Sequence, residues 1–141
     1  MITLKPCWQE TMATNAFAVK SGIIKNTLRG WVEEVPVYAV SYISLCVILN
    51  VSPQEIIDRD CDIHDLCDRR GTTFDEVCFL CGVSTYNQPL FKKNLKSNST
   101  PLLILTNLCR YYILEQLFDI QQIKADIGKR INKVSDLLYA A

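Results

Sequence analysis

Five glycines and five prolines are the strong breaks available to this chain, and most of them fall between segments of helical period. The pauses come at Ser21-Gly22, Val35-Pro36, Ser52-Pro53, Arg70-Gly71, Cys81-Gly82 and Ser97-Asn98-Ser99-Thr100-Pro101. The stretches between them run to roughly eight to fifteen residues, the length of short packed helices. Strand-like alternation is scarce. The expected fold class is therefore all-α. With 49% apolar and 21% charged residues, the composition is that of a folded core and not of a disordered segment.

Fifteen basic and fifteen acidic side chains cancel, so no global field is available to hold nucleic acid or an anionic membrane. Binding to either must come from a local patch. The longest apolar stretch, Val35 to Val51, is interrupted by Pro36, Ser41 and Ser44, so no spanning helix is expected. Near the N-terminus, Trp8-Gln9-Glu10 breaks any signal-like run. Seven cysteines are an odd number and cannot all pair. Together these features predict a cytoplasmic chain in a reducing compartment, with mostly buried thiols.

Displacing the chain by 60 residues lays Phe17-Ala18 over Val77-Cys78, Gly22-Ile23 over Gly82-Val83 and Trp31 over Phe91. Leu45-Cys46 then meets Leu108-Cys109 if the second copy holds a few extra residues around Ser97 to Thr100. The repeat lies in pattern more than in letters. It divides the chain into 1–58 and 59–118, with an amphipathic helical tail over 119–141.

The first copy has the parts of a helix-turn-helix. Ala18 is the small residue at which two helices can cross, and Gly22 is free to turn the chain. Phe17, Ile23, Leu28 and Trp31 stand where both helices need apolar anchors. That spacing leaves Lys25, Asn26 and Arg29 outward. A wide apolar stripe follows from Val40 to Val51, and Ser52-Pro53-Gln54-Glu55 reads as the start of a further helix.

Residues 13–57 resemble the Cro/phage-repressor (XRE) helix-turn-helix family. Ala18, Gly22-Ile23, Leu28, Trp31, Pro36, Leu45-Cys46, Leu49-Asn50-Val51-Ser52 and Ile56-Ile57 carry the likeness. The resemblance implies a five-helix domain whose third helix enters the major groove of double-stranded DNA. It places base-edge contacts on Lys25, Asn26 and Arg29, and on Thr14 a phosphate or base contact. Arg29 has the donor geometry for guanine and Asn26 that for adenine. Against tight binding stand Gly30, Glu33 and Glu34, and a balance of four basic to five acidic residues in 1–58.

The second copy resembles the family less well. Gly71 to Ser84 keeps the second helix and its turn, but Gln88 replaces an apolar anchor and Pro89 falls where Arg29 would be. Proline inside a helix costs about 3 kcal/mol, so a helix is expected to start at Pro89. Lys92, Lys93 and Lys96 are either phosphate contacts or a solvated face. A degenerate copy of little specificity is the expectation, one that binds DNA non-specifically, binds a protein partner or supports the first domain.

Cys61-x2-His64-x2-Cys67 followed by Cys78-x2-Cys81 has the ligand types of a zinc site. Yet Cys78 falls where Ala18 sits in the first copy, and Cys46 and Cys109 occupy small core places. Buried thiols are expected, with no metal and no cofactor. No phosphate-binding loop, nucleophile elbow or carboxylate pair is present, so an enzyme is not expected. In the tail, Ile120, Ile127 and Val134 recur every seven residues, a stripe expected to drive a homodimer, the alternative being that it packs on the chain's own second half. The reading is a DNA-binding transcriptional regulator made of two tandem helix-turn-helix domains plus a C-terminal helix. The alternative is an antirepressor or adaptor of the same fold that has lost DNA reading.

Overall fold

A computed structural model describes residues 2–4, 14–58, 63–95 and 100–139, and they are helical with no strand among them. In the first half, α1 is Thr14–Ser21, α2 Lys25–Glu33, α3 Val37–Leu49 and α4 Pro53–Asp58. The second half has α5 (Ile63–Arg69), α6 (Phe74–Leu80), a 3-10 turn (Thr85–Asn87), α7 (Gln88–Lys93), α8 (Thr100–Cys109) and α9 (Leu114–Leu117). The last helix, α10, is Ile120–Tyr139.

The helix ends follow the residues that can make them. Gly22 and Gly82 both sit in the left-handed region, at φ +72° and +77°, and each separates two helices. The Gly22 amide donates to the Ala18 carbonyl at 3.0 Å, and the Ser21 hydroxyl donates to the Phe17 carbonyl at 2.7 Å. Helix α3 ends on Asn50 at φ 53°, with the Val51 amide returning to the Cys46 carbonyl at 3.1 Å. Ser52 caps α4 by accepting the Glu55 amide at 3.2 Å, as its sequence predicts.

Helix α3 is buried nearly all round and forms the centre of the molecule. Ala39, Ile43, Leu45 and Leu49 are fully enclosed. Its two buried serines are satisfied within the helix: Ser44 donates to the Val40 carbonyl at 2.9 Å and Ser41 to that of Val37 at 3.3 Å. Against α3 pack α6, α8 and α10, while α4 packs against α8. The buried residues of 1–58, 59–118 and the start of the tail thus make one continuous cluster, from Ile2 to Ile127.

Aromatic pairs tie the halves together. Tyr42 of α3 stacks on Phe91 of α7 at 4.7 Å between ring centres, Trp31 lies 6.3 Å from Phe118, and Phe17 meets the edge of Tyr111 at 5.7 Å. Each such pair contributes about 0.5–1.5 kcal/mol beyond the area it buries.

The repeat is more regular than the letters imply. A displacement of 60 carries α1 onto α6, α2 onto the 3-10 turn plus α7, and the end of α3 at Leu49 onto that of α8 at Cys109. Buried Tyr42, Leu45 and Cys46 then match buried Leu102, Leu105 and Thr106. With the extra residues expected around Ser97 to Thr100, Ala39, Tyr42, Ile43 and Leu45 instead meet Leu102, Leu105, Thr106 and Leu108, all buried, whereas a strict displacement of 60 sets buried Ile43 on exposed Leu103. Pro89 stands in the first turn of α7, which opens one residue earlier than expected, at Gln88.

The repeat also extends to how the turns are held. Tyr111 donates its hydroxyl to the Lys20 carbonyl at 2.9 Å, and Arg130 donates to the Leu80 carbonyl at 2.7 Å. Lys20 and Leu80 are equivalent positions, so each helix preceding a turn is capped from a distant helix or loop. Replacing Tyr111 with Phe keeps the ring against Phe17 and removes the bond. Its expected cost is about 0.5–1.5 kcal/mol, read as a lower urea midpoint with unchanged slope.

The first half of α10 uses its stripe internally. Ile120, Ile123 and Ile127 are buried, and the helix packs on α3 as well as α6. Ile131 is half exposed, whereas the side chains of Val134, Leu137 and Leu138 lie outside the described residues.

Candidate nucleic-acid interface

Helix α2 is short and two-faced. Leu28 and Trp31 are buried at 4% exposure each and fasten it to the core, and Ile23 fixes the chain just before it. Its inner end is held by the extended segment Ile2–Leu4: the Leu4 amide donates to the Trp31 carbonyl at 3.0 Å, and the Val35 amide donates to that of Ile2 at 2.8 Å. The spacing of the anchors turns Asn26 and Arg29 to solvent, with Lys25 half-buried at the helix opening.

Lys25 and Arg29 are four residues apart and Asn26 and Arg29 three, so the three side chains share one face. Among the described residues none of them is held by a side-chain hydrogen bond or an ion pair. A guanidinium, an amide and an ammonium on one helix face present donors and one acceptor outward. Glu33 follows Arg29 by four residues and so is exposed on the same side of the helix, while Glu34 is exposed just past its end. Thr14 opens α1, and its side chain lies outside the described residues.

Sequence reasoning missed two neighbours of this face. Ile24 is 73% exposed where an aliphatic residue has no packing reason to be, immediately before Lys25. Lys20 is held 4.8 Å over the ring of Tyr111, from the other half of the chain. The first could be found as an apolar residue off the buried stripe. The second left no local mark.

The equivalent face of the second half differs in kind. Thr85, Tyr86 and Pro89 replace Lys25, Asn26 and Arg29, and Tyr86 is 92% exposed. Lys92 and Lys93 are exposed beyond them. Lys92 Nζ lies 2.8 Å from His64 Nε2, whose ring meets the edge of Phe74, so Lys93 is the freer cation of the two. Lys96 and Cys61 lie outside the described residues.

Cys67, Cys78 and Cys81 are buried and His64 is exposed, so the residues with zinc-ligand chemistry do not share one environment. Among the described residues no three His, Cys, Asp or Glu side chains converge as a metal site requires. Burial pushes every described thiol up, that of Cys78 to about 12 and that of Cys109 to about 11. The consequence for stability has a definite sign. Unfolded thiols lose protons near pH 9 and the folded ones keep them, so stability present below pH 9 falls as the pH rises toward 11. Urea midpoints at rising pH check this, and Cys78→Ala should flatten the fall.

No single helix among the described residues is long and apolar enough to cross a membrane. No family model, curated protein or solved structure matches the chain.

Proposed function

We propose that the protein is a sequence-specific DNA-binding regulator of transcription, built from two tandem helix-turn-helix units of which the first reads DNA. One observation carries this: Lys25, Asn26 and Arg29 stand free on the outward face of a helix whose inward face is locked by Leu28 and Trp31, just after a left-handed glycine turn. In this reading α2 lies in the major groove with its N-terminal end toward the base edges. Arg29 takes guanine and Asn26 adenine, with Lys25 beside them and the Ile24 side chain placed for a thymine methyl. Thr14 and Lys93 supply backbone contacts. Zero net charge makes the affinity dependent on this local face and not on a broad field.

Amide chemical shifts on adding short duplex DNA test the reading. The largest changes are expected at residues 24–30. Changes confined to α6, α7 and their turn would contradict it. The second reading, an adaptor of the same fold in a cytoplasmic complex, is favoured by the uncharged, aromatic face at Thr85, Tyr86 and Pro89.

A further inference from the structure

From Thr14 to Val32 the chain has no acidic residue, and its charged side chains there are Lys20, Lys25 and Arg29. From Thr100 to Leu114 the one charged side chain is Arg110. These two stretches meet where Tyr111 packs on α1. Its ring meets Phe17 edge-on at 5.7 Å, and its hydroxyl donates to the Lys20 carbonyl at 2.9 Å. Both segments bring cations and no acid to this junction, in a chain whose net charge is zero.

One residue orders Lys20 in two ways. The Tyr111 hydroxyl fixes its backbone, and the face of the same ring holds its ammonium at 4.8 Å. Lys20 is exposed, and among the described residues its ammonium has no hydrogen-bond or ion-pair partner. A ring face attracts the charge without using up its N–H donors, which stay available to an anion. A loose lysine must surrender rotamer freedom to hold a phosphate. This one has surrendered part of it on folding.

We propose that Lys20 is a DNA-backbone contact of the α2 reading face and that Tyr111, from the second half, is its positioning residue. The inference rests on DNA reading by α2. Lys20 stands in the last turn of α1, two residues before the left-handed Gly22 and five before Lys25, which opens α2. In that reading the N-terminal end of α2 enters the groove, and a cation just before the turn serves the phosphates that flank it. Such a contact orients α2 without reading sequence. The second half then serves DNA binding through a ring laid against the first, and not through its own Thr85, Tyr86 and Pro89.

Anisotropy titrations of the full chain at several salt concentrations test this, with a duplex selected from a random pool and a scrambled one. Lys20→Met keeps the aliphatic stem over the ring and removes the charge. It should weaken both duplexes alike, about three- to tenfold at about 0.1 M salt, and reduce the salt slope by about one unit. Lys20→Arg should restore both, since a guanidinium also stacks on an aromatic face. Tyr111→Leu keeps the charge and removes the ring, so it should cost about two- to fivefold with the salt slope unchanged. Tyr111→Phe should bind as the wild type does, despite its lower stability. Affinity and salt slope unchanged in Lys20→Met overturn the proposal, while reading by α2 stands if Arg29→Ala still relaxes the base preference. Equal losses from Tyr111→Phe and Tyr111→Leu overturn it too, because the ring would then have no part in placing the charge. A wild type that binds neither duplex overturns both readings.

Discussion

Leu105→Ala lowers the stability of the whole chain by about 2–5 kcal/mol, and the tryptophan fluorescence of the first half follows the fall. Leu105 lies on α8 with no exposed surface, and α8 packs against α3 and α4. Both tryptophans, Trp8 and Trp31, belong to residues 1–58, so their fluorescence reports that half alone. If the halves share one core, a cavity made in the second must move the transition seen from the first. Urea titrations followed by fluorescence and by far-ultraviolet circular dichroism should therefore give one coincident, lowered midpoint. A fluorescence transition left in place, with only part of the dichroism lost early, would mean that the halves fold separately.

If α2 reads DNA as proposed, Arg29→Ala is expected to cost about 1–3 kcal/mol in affinity for the preferred duplex and to relax the preference at one base position. The guanidinium is exposed and makes no side-chain bond within the described residues, so the melting temperature should hold. Lys93→Ala should act differently. Removing an ammonium that pairs with a phosphate weakens binding to all sequences alike and reduces the salt slope by about one unit. Anisotropy titrations at several salt concentrations separate the two effects. A uniform drop in affinity from Arg29→Ala across all sequences would mark it as a backbone contact.

What could be read from the sequence was local. Phe17, Ile23, Leu28 and Trp31 are buried as their spacing requires, and Gly22 takes the left-handed turn, because helix period and glycine's freedom act within a few residues. Pro89 marked the break in the second copy for the same reason, although Gln88, expected to stand where an anchor is missing, is half-buried in the first turn of α7. What could not be read was distant. The Tyr111 hydroxyl reaches Lys20 across 91 residues of chain, and the stack of Tyr42 on Phe91 depends on how α3 and α7 cross. Such contacts leave no period in the sequence. They make a core shared between halves that look separable on paper.

The most direct test of DNA reading by α2 is selection of bound sites from a random duplex pool at low and moderate salt. The wild type is run beside the variant Lys25→Ala/Asn26→Ala/Arg29→Ala. The account predicts an enriched motif for the wild type that survives the rise in salt, and its disappearance in a variant with unchanged circular dichroism. Enrichment of the same motif by the folded variant, or no enrichment by the wild type at low salt, would contradict it.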